Sequence, residues 1–131
     1  MSKSKETLAL IRAIKAGNIT RVAQLIQGIP DLNETDIQGW TPLDHAADKG
    51  NVEMLKLLVR GGADVNHGLS IGFTALSVAV TLVHVDAVRF LLASGASLHM
   101  IQGNTMKNCV PRYGNREKCE KIIELLKAAE K

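Results

Sequence analysis

Aromatic side chains are scarce in this chain of 131 residues: one Trp, one Tyr and two Phe make up 3%. A groove for single-stranded nucleic acid interleaves stacking rings with basic side chains, and no window here supplies that mixture. A one-signed charge field is missing too. Sixteen Lys and Arg stand against thirteen Asp and Glu, a net +3, and they are scattered from Lys3 to Lys131. Together these absences predict no DNA or RNA partner. No hydrophobic run approaches the ~20 residues that cross a bilayer, and Glu6, Arg12 and Lys15 break the apolar core that an export signal would need after Met1. The expected location is therefore cytoplasmic, with no membrane partner. Cysteine is limited to Cys109 and Cys119, which read as reduced core thiols rather than a structural disulfide. A zinc site would need further well-spaced ligands, and His84 and His99 are irregularly placed for it. The glycines form no phosphate-binding loop, because Gly61-Gly62 and Gly95 follow apolar helical stripes rather than opening helices. No cofactor is expected.

What the chain does contain is a repeated phrase. Thr41-Pro42-Leu43, Ala46, Leu57-Leu58 and Gly62-Ala63 return 33 positions later as Thr74-Ala75-Leu76, Ala79, Phe90-Leu91 and Gly95-Ala96. A fixed period of that length marks a stacked array of small units, none able to bury its apolar face alone. One period earlier stand Leu10, Ala13, Gly17-Asn18, Val22, Leu25 and Asp31-Leu32-Asn33; stepping forward gives only Thr105 and Cys109, with Thr105 31 rather than 33 positions after Thr74. Gly114-Asn115 then falls 64 rather than 66 positions after Gly50-Asn51, so the last unit has lost register.

The second unit shows how each unit should fold. Thr41 has a capping hydroxyl, Pro42 suits the first helical position, and Gly50 ends the inner helix where a left-handed residue is wanted. Leu43, Ala46 and Ala47 predict a narrow inner helix. Val52, Leu55, Leu58 and Val59 form a helical stripe over the outer helix, residues 52–60. In the last unit, a helix over 116–129 puts Cys119, Ile122, Ile123 and Leu126 on one side as an end cap. Two departures stand out. Val83 occupies the place of Gly50, so that turn must be reshaped or strained by about 1–2 kcal/mol. Pro111 interrupts the inner helix of the last unit.

The run Asp36, Gly39, Thr41, Pro42, Leu43, Ala46, Ala47, Gly50, Leu57, Leu58, Gly62, Ala63, Asp64, Val65, Asn66 resembles the ankyrin-repeat motif. The resemblance implies an all-α solenoid of about four stacked helix-turn-helix units with short projecting hairpins. It implies one domain over 1–131, divided into 5–35, 36–68, 69–101 and 102–131. It also implies a protein-interaction module, monomeric when free, that meets another protein on its concave hairpin and inner-helix side. Carried onto this chain, the hairpin tips are Ile37, Gln38, Trp40 and Ser70, Ile71, Phe73, with Leu69 extending the apolar strip. The inner-helix edge is Asp48, Lys49 and Thr81, Leu82, and Lys15, Arg112 and Tyr113 can add polar contacts. Exposed Trp and aliphatic side chains are typical interface anchors. A stand-alone module of this kind suits an inhibitor or neutraliser, such as an immunity protein. Self-association through Trp40 and Phe73 is the alternative, and a zinc enzyme using Cys109, Cys119 and His99 is the third. Asp44-His45 imitates a catalytic dyad only on paper, since successive helical residues do not face each other. Asp44 is expected to bond back to Thr41, and His45 to pack or be solvated.

Overall fold

The computed structural model describes residues 5–68, 74–98 and 116–129, among which there are seven helices and no strand. The helices are α1 (Lys5–Ala16), α2 (Ile19–Ile26), α3 (Pro42–Lys49), α4 (Val52–Arg60), α5 (Ala75–Thr81), α6 (Val85–Ala93) and α7 (Arg116–Ala129). Two rows form. The inner helices α1, α3 and α5 pack side by side, and so do the outer helices α2, α4 and α6, each hairpin being closed on itself. α7 lies against α6 and extends the outer row. This is the all-α solenoid expected from the repeat.

Local chemistry sets the boundaries. Thr41 Oγ1 accepts from the Asp44 N–H at 3.1 Å and Asp44 Oδ2 accepts from the Thr41 N–H at 3.0 Å, a reciprocal cap that opens α3. Thr74 and Ser77 repeat it at the start of α5. Asn18 and Asn51, one period apart, each cap an outer helix by accepting a backbone N–H three residues on. Gly50 closes α3 with φ +68°, the left-handed conformation in which a Cβ is penalised.

Small residues let the inner row close up. Leu43, Ala46 and Ala47 are buried, as is Ala79 one period after Ala46. In α4 the buried set is Met54, Leu55 and Leu58, while Val52 and Val59 are half-buried. The apolar stripe is thus rotated toward Met54 relative to the sequence expectation. Gly61 sits where α4 meets the first unit, and a Cβ there would come within 2.7 Å of Ile26 Cγ2 and 2.9 Å of Leu32 Cδ1.

The lost register of the last unit resolves in α7. Its buried residues are Cys119, Ile122 and Leu126, with Ile123 half-buried. Cys119 and Ile122 stand 31, not 33, positions after the buried Val88 and Leu91. The unit is two residues short ahead of its outer helix, and the stacking face recovers once the helix begins. Pro111 lies outside the described residues.

Val83 takes the left-handed conformation, φ +62°, and is only 6% exposed. The turn is strained, not reshaped, and burial of the isopropyl group in the core offsets the strain. Val83→Ala and Val83→Gly both lose that burial, but only the Gly variant relieves the backbone. We therefore expect Val83→Gly to be more stable than Val83→Ala by about 1 kcal/mol in urea unfolding, reversing the usual order of Ala over Gly. A Val83→Ala chain more stable than Val83→Gly would mean the turn carries no strain.

Candidate functional site

The hairpin of the second unit is built on one carboxylate. Asp36 and Trp40 close it, the Asp36 N–H donating to the Trp40 carbonyl at 2.9 Å, and the Gly39 N–H donates to the Asp36 carbonyl at 3.0 Å. Gly39 has φ +87°, which permits the tight reversal. Asp36 Oδ1 accepts the N–H groups of both Gln38 and Trp40 at 3.0 Å. At the apex Ile37 is 93% exposed.

The other carboxylate oxygen faces the helix. His45 Nε2 lies 2.8 Å from Asp36 Oδ2, so a protonated Nε2 donates to it. The Trp40 ring leans on the imidazole, with centroids 5.0 Å apart and planes at 34°. His45 is thus neither merely packed nor solvated, as expected from sequence, but buried and paired with a residue nine positions earlier. Burial pushes the Asp36 carboxyl up, yet the hydrogen bonds from His45, Trp40 and Gln38 outweigh it and hold it below the ordinary carboxylate range. Asp44 goes the other way. Burial raises it, and the bonds from Thr41 with the nearby His67 and His45 only partly compensate. Asp44 and His45 serve separate local networks and form no dyad.

The other residues named from sequence differ in exposure. Gln38, Asp48, Lys49 and Thr81 are exposed and Trp40 and Leu82 are half-buried, both packed against the core. Thr81 Oγ1 donates to the Ser77 carbonyl at 2.8 Å. Lys15, one period before Asp48, is exposed as well. Ser70, Ile71 and Phe73, with Leu69, Arg112 and Tyr113, lie outside the described residues, as do Cys109 and His99.

Sequence reading missed the role of His84. It holds the position of the capping residues Asn18 and Asn51, but its side chain makes no bond to its own helix. Instead Nε2 bonds the Asp48 carbonyl at 2.9 Å, reaching back to the C-terminal end of α3 in the preceding unit. The ring covers Gly50, where a Cβ would come within 2.6 Å of Nδ1.

Among the described residues, no group of three or more His, Cys, Asp or Glu could hold a metal ion, and no helix is long and apolar enough to cross a membrane. An open groove of about 580 Å³ beside α6 and α7 is lined by Val85 and charges of both signs, including Asp86, Glu117 and Lys121. Cys119 is buried in the α7 seam. No curated protein matches the chain. A family model described as ankyrin repeats, in three copies, matches residues 10–102. With most of its length matched and its helical pairs stacked at the period of that motif, the chain belongs to the ankyrin-repeat family.

Proposed function

We propose that this ankyrin-repeat chain, by family a protein–protein interaction module, captures a partner protein with the fingertip of its second unit and the exposed edge of its inner helices. The supporting observation is Ile37. A branched aliphatic side chain 93% exposed at the apex of a projecting hairpin has its hydrophobic surface in water, and association with a partner would recover that free energy. Gln38, Asp48, Lys49 and Thr81 supply a polar rim on the same side, which tunes encounter rate and specificity. Trp40, Leu82 and, in the third unit, Ser70, Ile71 and Phe73 complete the surface in this reading.

The mode of action we favour is occlusion. A rigid module of one domain, residues 1–131 in four units, covers a functional site on its partner and so works as an inhibitor or neutraliser, of immunity type, in the cytoplasm. The module itself is monomeric, performs no catalysis, and binds neither nucleic acid nor membrane.

The test is capture of the partner from an extract of the source cell on immobilised protein. Ile37→Arg should weaken capture at least tenfold, about 1.4 kcal/mol, without moving the melting temperature, because nothing packs on that side chain. Undiminished capture would remove the fingertip from the site. Light scattering across a concentration series should give a monomer. A dimer abolished by Ile37→Arg would favour self-association instead.

A further inference from the structure

We propose that Asp36 and His45 are positioning residues that lock the second fingertip into one conformation, so that Ile37 is presented as a preformed knob rather than on a floppy loop. The inference rests on Ile37 being a contact residue, and it specifies the kind of partner: a protein with an apolar pocket for one branched aliphatic side chain. Such a knob enters a pocket with little loop ordering left to do, which is where preorganised surfaces gain affinity.

Three observations converge. The Asp36 carboxylate takes the backbone N–H groups of Gln38 and Trp40 on one oxygen and His45 Nε2 on the other, so a single side chain ties the tip to itself and to α3. The Trp40 ring closes over the imidazole, walling the pair from solvent, with the carboxylate side chain 12% exposed and that of His45 7%. The pairing is also confined to one unit. One period before Asp36 and His45 stand Lys3 and Arg12, one period after stand Leu69 and Val78, and in the last unit, 64 positions on, stand Met100 and Cys109. None of these can make an acid–imidazole bridge. The residues matching Ile37 are Ser4, Ser70 and Ile101, so of the two positions that carry an isoleucine the one at 37 has the acid–imidazole pair beside it.

The order of the tip can be measured without any partner. In the ¹⁵N-labelled full-length chain, the heteronuclear NOE of the Ile37, Gln38 and Gly39 amides should match that of α3. In His45→Ala these values should fall toward those of a free chain end, while the amides of Asn66 and Ser97, in the two connections that follow, stay unchanged. His45→Gln, whose amide nitrogen can stand where Nε2 does, should restore them. A mobile tip in the unaltered chain, or a folded His45→Ala chain with its tip as ordered as before, would overturn the proposal. Should His45→Ala fail to fold, hydrogen exchange of the unaltered chain decides: the Trp40 amide must be slowed at least tenfold against coil, and a coil-like rate refutes the lock. An ordered tip with undiminished capture by Ile37→Arg would instead remove the contact role of Ile37 and leave the lock standing.

Discussion

Gly50→Ala lowers the unfolding free energy by about 3 kcal/mol, and most of the loss beyond backbone strain disappears when His84 is removed first. The first part follows from φ +68° at Gly50, where an L side chain costs about 1–2 kcal/mol. The second follows from the 2.6 Å approach that the new methyl group would make to His84 Nδ1. The ring must move away, and its hydrogen bond to the Asp48 carbonyl, worth about 1 kcal/mol, goes with it. In a His84→Ala background the ring and the bond are already gone, so Gly50→Ala should cost only the backbone strain. A double-mutant cycle in urea measures the difference directly. Additive single and double variants would show that His84 does not brace the end of α3.

Asp36→Ala should cost a similar amount, about 3 kcal/mol, because two donors that are not free to turn to water, the Trp40 N–H and His45 Nε2, lose their acceptor at about 1–3 kcal/mol each. Asp36→Asn should cost much less near neutral pH. Its amide oxygen can still accept both backbone N–H groups, and its nitrogen can donate to the imidazole once the ring changes tautomer. The two chains should then diverge in their acid response. The Asp36 carboxyl is held below its ordinary value of 3.8 in the fold, so its contribution is present above pH 3.8 and is lost as the pH falls through the lower folded value. Asn has no such titration, and the advantage of the unaltered chain over Asp36→Asn should shrink below pH 3.8. Asp44, raised by burial, contributes in the opposite sense: its share of stability is present below pH 3.8 and lost as the pH rises through its folded value. Both chains carry Asp44, so the difference between their urea curves isolates Asp36. A gap that stays constant down to pH 3 would contradict the depressed carboxyl.

The helices were legible because their signals are local. Thr41, Pro42, Gly50 and Asn51 each act within one turn of the chain, and α3 and α4 begin and end where these residues place them. Burial in α7 likewise follows from a 3.6-residue stripe, and the strain at Val83 from its alignment with Gly50. The pairs were not legible. His45 reaches Asp36 across a hairpin nine residues long, and His84 reaches Asp48 across 36 residues; in each case the sequence shows the residues but not which atoms the fold brings within 3 Å. The contact that Trp40 makes was missed for the same reason. A tip position counted along the chain looks exposed, yet the ring lies back on His45. Of the surface residues, Ile37 was the simplest to anticipate, since exposure at an apex needs no partner to be specified.

Neighbouring hairpins are also stitched together by a side chain that recurs. Asn33 Oδ1 accepts the Asp64 N–H at 2.7 Å, and one period on Asn66 Oδ1 accepts the Ser97 N–H at 2.7 Å, while its Nδ2 donates to the Gly95 carbonyl at 3.2 Å. Each amide spends its bonding capacity on the following unit rather than on its own. Melting a central pair of helices therefore strands polar groups in both adjoining pairs, whereas melting a terminal pair strands them in one. Thermal disruption is accordingly channelled to the ends of the row, and the middle of the array, which carries the Ile37 apex, is the last part to come apart.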